Sequence, residues 1–200
     1  SVAQGGPYFV GYDVARKRDY AVIWVLQRTG DLLTSTRVFE MENVRFRQQA
    51  DLLAALLIQR EVAKCAIDAT GMGMPLAEEA MERFGLWRVD AVTFSEQVKA
   101  KLAGQLRVKV EDRSIRIPRA ERVRNDWHSI EKSVTTGGTV RYRADRNKWG
   151  HADRFWAAAL AVDAATDDGG AWSGELQRVQ GLRRIAGAVR RESRRDLARI

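Results

Sequence analysis

Apolar residues arrive in short runs early in the chain and at three-to-four spacing further on. Residues 8–14 (YFVGYDV) read as a short buried strand, residues 20–28 (YAVIWVLQR) as a second and residues 32–41 (LLTSTRVFEM) as a third. Thr29-Gly30-Asp31 is a turn signal between apolar runs, so the second and third strands form a hairpin. The link ARKRD is short enough to make the first two strands antiparallel as well. A helix follows near 45–60, where Phe46, Ala50, Leu53 and Leu57 recur on one face. Residues 62–68 (VAKCAID) form an apolar strand closed by an aspartate. A glycine-containing loop, ATGMGM, comes next, and Pro75 suits the first turn of a helix that ends at Gly85. Residues 88–94 give a fifth strand and 96–112 a further helix.

The order three strands, helix, strand, helix, strand, helix predicts an α/β protein. Its mixed sheet has an antiparallel edge from the initial meander and a parallel centre. Beyond it, SIRIP is a short extended piece. Ala120, Val123, Trp127, Ile130 and Val134 share one stripe, which predicts a helix over about 119–135. Thr136-Gly137-Gly138-Thr139 turns into VRYRAD, a small hairpin arm, and residues 151–166 form a strongly apolar, alanine-rich helix. Gly169-Gly170 marks a domain end. The expected division is a folded domain over 1–168 and a basic, helical tail over 169–200, with Leu176, Val179, Leu182, Ala186 and Val189 at helical spacing.

Composition narrows the class. The chain has 200 residues, 45% of them hydrophobic, enough for one compact domain with extensions. No apolar run reaches the roughly 18 residues that span a bilayer, and the first residues lack a signal-peptide layout. Cys65 lies in an apolar run and reads as a buried small hydrophobe. No Cys/His cluster suggests zinc. The formal charge of +8 points to a polyanionic partner, most often nucleic acid. Much of it sits in residues 173–200, with eight arginines against Glu175, Glu192 and Asp196.

Three aspartates stand out. Asp13 lies in the first strand between Tyr12 and Val14, Asp68 ends the fourth strand, and Asp153 opens the alanine-rich helix. An ionised carboxylate in apolar surroundings is costly unless paired or bound to metal. The first and fourth strands are neighbours in the expected sheet, so their aspartates can converge at one edge while a packed helix brings the third. Such a trio suits magnesium or manganese, which prefer oxygen ligands. Two such ions support phosphodiester displacement by water without a nucleophilic side chain. Each aspartate also has an ordinary reading. Asp13 could pair with Arg16, Lys17 or Arg18; Asp68 could be a turn residue; Asp153 could simply favour the helix dipole.

The segments GYDVARKRDYAVIWV, CAIDATGMGMPLAE and GHADRFWAAALA resemble the nuclease domain of phage terminase large subunits, especially those of Mu-like phages and prophages. The resemblance runs from about Phe9 to Ala165. It implies a ribonuclease-H-like fold: a three-strand antiparallel meander plus parallel strands, flanked by helices. It further implies magnesium- or manganese-dependent endonucleolytic cutting of viral DNA during packaging, with two ions held by Asp13, Asp68 and Asp153. The implied partners are double-stranded DNA, a terminase ATPase domain, the small terminase subunit and the portal, with no membrane. The implied location is the cytoplasm of a bacterial host. A GxxxxGK[ST] loop is absent, so no ATP site is expected in this chain, and the role expected is cutting without pumping, as a nuclease fragment or a separately made nuclease.

Further candidates surround the trio. Asp19 either approaches the metals or pairs with the ARKR loop. His151 either contacts the scissile phosphate or is a surface residue at the helix entry. Lys99 either neutralises a phosphate or is a solvated helix lysine. Thr70, Gly71 and Gly73 would let their loop pass close to DNA. Trp127, Trp149 and Trp156 read as core. Arg16, Lys17 and Arg18, with Arg141, Arg143 and Arg146 on the hairpin arm, are candidate phosphate contacts whose binding would depend on salt. The tail could bind DNA or a packaging component. Two alternatives remain beside the terminase reading: a resolvase-like nuclease on the same fold, and a non-catalytic DNA-binding or packaging-assembly module.

Overall fold

The computed structural model describes residues 6–15, 20–135, 137–138, 140–144 and 152–167. Residues 16–19, residues 145–151 and the tail expected over 169–200 lie outside the described residues. So do Arg16, Lys17, Arg18, Asp19, Arg146, Trp149 and His151.

Six strands form one sheet. In chain order β1 is Tyr8–Asp13, β2 Tyr20–Thr29, β3 Leu32–Glu42, β4 Val62–Asp68, β5 Val89–Val92 and β6 Ile115–Arg116. Across the sheet the order is β5-β4-β1-β2-β3-β6. The meander β1-β2-β3 is antiparallel, while β4 is parallel to β1 and β5 parallel to β4. The mixed α/β class agrees with the sequence reading, but the placement of the two kinds of strand does not. Parallel pairs lie at both edges, β5-β4-β1 on one side and the short β6 outside β3 on the other, and the antiparallel meander takes the middle.

Helices cover both faces. On one lie α1 (Phe46–Leu57) and α2 (Met74–Phe84), packed with Val10, Tyr12, Ile23, Cys65 and Ile67. On the other lie α3 (Glu96–Glu111), α4 (Glu121–His128) and α5 (Asp153–Thr166), packed with Phe9, Trp24, Leu26 and Ala66. Alternation along β1 and β4 sends successive side chains into opposite cores. Helix α5 is buried on every side from Asp153 to Ala165, as its all-round apolar composition requires. Its alanines let it approach the sheet closely. A Cβ added to Gly11 of β1 would fall 2.0 Å from the Ala157 carbonyl oxygen and 2.2 Å from the Ala161 nitrogen.

One expected helix is shorter than its stripe. α4 stops at His128, and Ile130–Val134 is strand β7, antiparallel to β8 (Val140–Ala144). A separation of four satisfies both a helical and a two-residue period, so Ile130 and Val134 fit either. The arm expected over VRYRAD is present, with β7 as its partner. Cys65 is fully buried, and burial pushes its thiol up, away from thiolate.

Candidate active site

Parallel strands bring their carboxyl ends to one edge of the sheet, and two aspartates stand there. Tyr12 of β1 registers with Ile67 of β4, and Asp13 and Asp68 each follow that pair by one residue. Neighbouring strands lie about 4.8 Å apart, so the two aspartates leave adjacent backbones. Alternation puts Asp13 on the face of Phe9 and Gly11, and Asp68 on that of Ala66, which is the α5 side of both strands. Around Asp13 the chain is pinned from α1. Buried Gln49 accepts the Tyr12 hydroxyl and donates to Ala15 O at 3.1 Å and Val44 O at 2.8 Å.

Asp153 comes from α5, whose direction is fixed at both ends. At its C-terminal end Asp167 pairs with Lys64 near the start of β4, and Ala165 O accepts from Arg28 Nη1 at 3.2 Å. At the other end Asp153 Oδ2 accepts the Tyr20 N–H, at the start of β2, at 3.2 Å. Helix α5 therefore runs antiparallel to β1 and β4, and its first turn arrives where those strands end. The N-cap, Ala152, has no side-chain oxygen to offer and takes a left-handed backbone (φ 62, ψ 36) while fully buried. Such a conformation costs a residue with a Cβ about 1–2 kcal/mol.

A neighbouring helix supplies the missing cap. Asp126 Oδ2 of α4 accepts the Arg154 N–H at 3.1 Å and Arg154 Nη1 at 3.2 Å. Arg154 Nη2 donates to Glu40 Oε2 of β3 at 2.6 Å. Asp126 and Arg154 are wholly buried. Burial pushes the Asp126 carboxyl up against the pull of Arg154, whereas the Arg154 hydrogen bond holds Glu40 below its ordinary value. The sequence reading missed this group, because an arginine near a helix start ordinarily reads as solvated. The available signal was a charge, Asp126, on the same stripe as Val123. Breaking one side of a buried pair costs about 3–5 kcal/mol. Asp126→Ala is therefore expected to lower the thermal midpoint by roughly 10 °C, and pairing it with Arg154→Met should recover part of that loss in the same melting experiment.

Asp68 has a strained electrostatic position. Burial pushes its carboxyl up, opposed by hydrogen bonding from Thr70 and by the charge of Lys99. Thr70 N–H donates to Asp68 Oδ1 at 2.8 Å, and Thr70 Oγ1 accepts the Phe94 N–H at 2.9 Å. Lys99 lies 5.7 Å from the Trp156 ring and 5.9 Å from the Phe94 ring, between α3 and the start of α5. Gly73 does not present an open loop: a Cβ there would fall 1.9 Å from Asp68 O, so the glycine serves close packing of the DATGMG loop. Trp156 is core and Trp127 half-buried. On the arm, Arg143 is exposed, while Arg141 Nε lies 3.7 Å from Glu96 Oε2.

The donor set suits a hard divalent cation. It consists of carboxylates, and the partly desolvated Asp68 gains from added positive charge. Among the described residues, no three His, Cys, Asp or Glu side chains stand close enough together to grip one ion. The three carboxylates are gathered at one edge rather than clenched on a point. Magnesium ordinarily takes one or two carboxylates and keeps waters or substrate phosphates for its remaining positions, so this spacing is compatible with it.

Comparison with known proteins gives the same architecture. Residues 10–165 match the family described as the terminase RNaseH-like domain. The chain belongs to that family. This terminase domain is 30% identical over 165 residues to the Mu-like prophage FluMu protein gp28 of Haemophilus influenzae, covering 80% of the chain and 32% of the relative. It thus spans about a third of that relative's length. Among solved structures, the large terminase nuclease of thermophilic phage G20c with bound magnesium superposes with a TM-score of 0.67 at 23% identity, over 80% of this chain and 82% of that one. The large terminase nuclease domain of bacteriophage SPP1 with bound manganese gives 0.54 at 14% identity, over 81% and 88%. The terminase domain therefore has the ribonuclease-H-like fold expected from its sequence. Among its described residues, no helix is long and apolar enough to cross a membrane.

Proposed function

We propose that this terminase domain is a magnesium- or manganese-dependent DNA endonuclease that cuts viral DNA during packaging. The observation that carries the reading is the register of β1 on β4, which sets Asp13 beside Asp68 on the face where α5 begins with Asp153. Similar nuclease domains bear magnesium or manganese, which supports the choice of cation. Asp13, Asp68 and Asp153 would hold the ions. When bound, a pair of such cations supplies Lewis-acid activation of water and stabilises charge on the leaving oxygen.

The chain's own groups do the rest. Tyr20 N–H and Thr70 N–H orient the Asp153 and Asp68 carboxylates from their backbones. Lys99, which acts on Asp68 electrostatically, places a cation where the substrate's phosphate would enter. His151 and Asp19 are proposed to flank the same edge, and Arg16, Lys17, Arg18, Arg141, Arg143 and Arg146 to contact DNA phosphates. Within a whole terminase, the domain would work with an ATPase domain, the small subunit and the portal in the cytoplasm of the bacterial host.

Purified protein is expected to nick and linearise plasmid DNA with manganese or magnesium and to stop when EDTA is added. DNA that binds but stays intact across metals and pH would instead make this a packaging-assembly module. A strong preference for branched over linear duplex would favour a resolvase.

A further inference from the structure

The β6 edge of the sheet carries a further basic feature, apart from residues 16–18, the arm and the tail. Residues 113–124 hold five arginines, Arg113, Arg116, Arg119, Arg122 and Arg124, against one acid, Glu121. All five are exposed. The first four fall at every third position, along a segment that begins in the turn before strand β6 and ends in α4.

The path of this segment is fixed at both ends. Ile115 and Arg116 register with Leu33 and Thr34 at the start of β3. Further along, Arg122 Nη1 lies 3.4 Å from Glu40 Oε2 near the end of β3. From Leu33 to Glu40, β3 advances about 23 Å at roughly 3.3 Å per residue, a span matching six or seven phosphates of one strand at about 3.4 Å each. The end of the path matters most. Glu40 registers with Val22, and Val22 with Asp13, so the arginines lead to the cross-strand row that contains a proposed metal ligand. Near that end a groove of about 560 Å³ opens between residues 117–120 and α4, with Arg119, Arg124 and His128 beside Ile117 and Trp127.

We propose that Arg113, Arg116, Arg119 and Arg124 form a phosphate-binding track that carries duplex DNA along the β3–β6 edge to the carboxylates. Arg122 has a different task, since it is engaged with Glu40. The track deepens the nuclease reading, on which it rests for its destination, but not for its ability to bind DNA. An acidic protein surface is the competing occupant. Four exposed arginines spread over the length of a phosphate run, on a segment held against β3 at one end and beside Glu40 of the carboxylate row at the other, favour nucleic acid.

The test is anisotropy of a labelled 30-base-pair duplex titrated with the full chain in EDTA, where binding is read without cutting. The triple variant R116A/R119A/R124A is expected to bind at least tenfold more weakly near physiological salt. The slope of log K against log salt should shrink by about 2.7, at roughly 0.9 for each phosphate no longer neutralised. A second triple, R47A/R60A/R83A, removes the same charge from exposed sites on and near α1 and α2, and should stay within about twofold of wild type. Unchanged affinity and slope in the first triple would overturn the track, as would an equal loss in both triples. Wild-type DNA binding with lost binding of poly-glutamate would also overturn it, in favour of an acidic protein. Failure of the nuclease reading looks different: wild type would bind DNA through the track and leave it uncut with manganese.

Discussion

Asp68→Asn is expected to slow DNA cleavage by about a thousandfold while leaving the fold as stable as before, or slightly more so. The two effects share one cause. Asp68 is a mostly buried carboxylate whose charge the protein solvates poorly, so burial pushes its pKa up. Asparagine has the same shape, its carbonyl can still accept the Thr70 N–H, and it removes the charge that is costly to bury. Stability therefore holds or rises, the usual relation at a site built for function. Cleavage depends on that same charge. Losing about 4 kcal/mol of cation-held stabilisation corresponds to about three orders of magnitude in rate. Asp13→Asn and Asp153→Asn should share the loss of rate, and asparagine at 153 can likewise accept the Tyr20 N–H. Plasmid cleavage with manganese, read beside thermal melts, checks both halves. Full activity in Asp68→Asn would remove it from the site.

Gly11→Ala is expected to damage stability and cleavage together. The new Cβ would meet backbone atoms of Ala157 and Ala161 at 2.0 and 2.2 Å, and backbone cannot swing aside as a flexible side chain can. Helix α5 must lift by more than an ångström to restore ordinary packing distances. Overpacking costs typically about 1–3 kcal/mol, and an obstacle of backbone on α5 puts this case at the upper end, a fall of roughly 10 °C in the thermal midpoint. Asp153 rides on the same helix, one turn before Ala157. A displacement of about 1 Å at a reacting group can cost on the order of a hundredfold in rate. Cleavage should therefore be down by about that factor even at temperatures where the variant is fully folded. A variant that melts early but cuts normally would show that α5 does not position the carboxylate.

The contrast between these variants shows what the sequence made legible. Strands β1 to β4 and the turn at Thr29-Gly30-Asp31 follow from local alternation and turn chemistry, and their order already made neighbours of Asp13 and Asp68. Asp153 was harder. At the first position of a helix, an aspartate is as well explained by the helix dipole as by a ligand. Its placement depends on the antiparallel run of α5, set by Lys64–Asp167 at one end and Tyr20–Asp153 at the other. Such pairings join residues more than a hundred positions apart and leave no local pattern. The same holds for Arg154 and Glu40, while Arg154 and Asp126, 28 positions apart, are buried together where α4 packs against α5. Where local pattern was ambiguous it misled, as when Ile130 and Val134 extended a helical stripe into β7. The two residues of β6 are too few for any period to show that they would flank β3 and turn a sheet edge into an arginine-lined one.

The central claim is that Asp13, Asp68 and Asp153 together hold the cations that cut DNA. Anomalous diffraction from crystals soaked in manganese tests it most directly. Manganese peaks at the edge where β1 and β4 end and α5 begins, ligated by these carboxylates and lost or weakened in Asp68→Asn crystals, are the predicted result. Manganese bound elsewhere, or an unchanged peak in the Asp68→Asn protein, would contradict it.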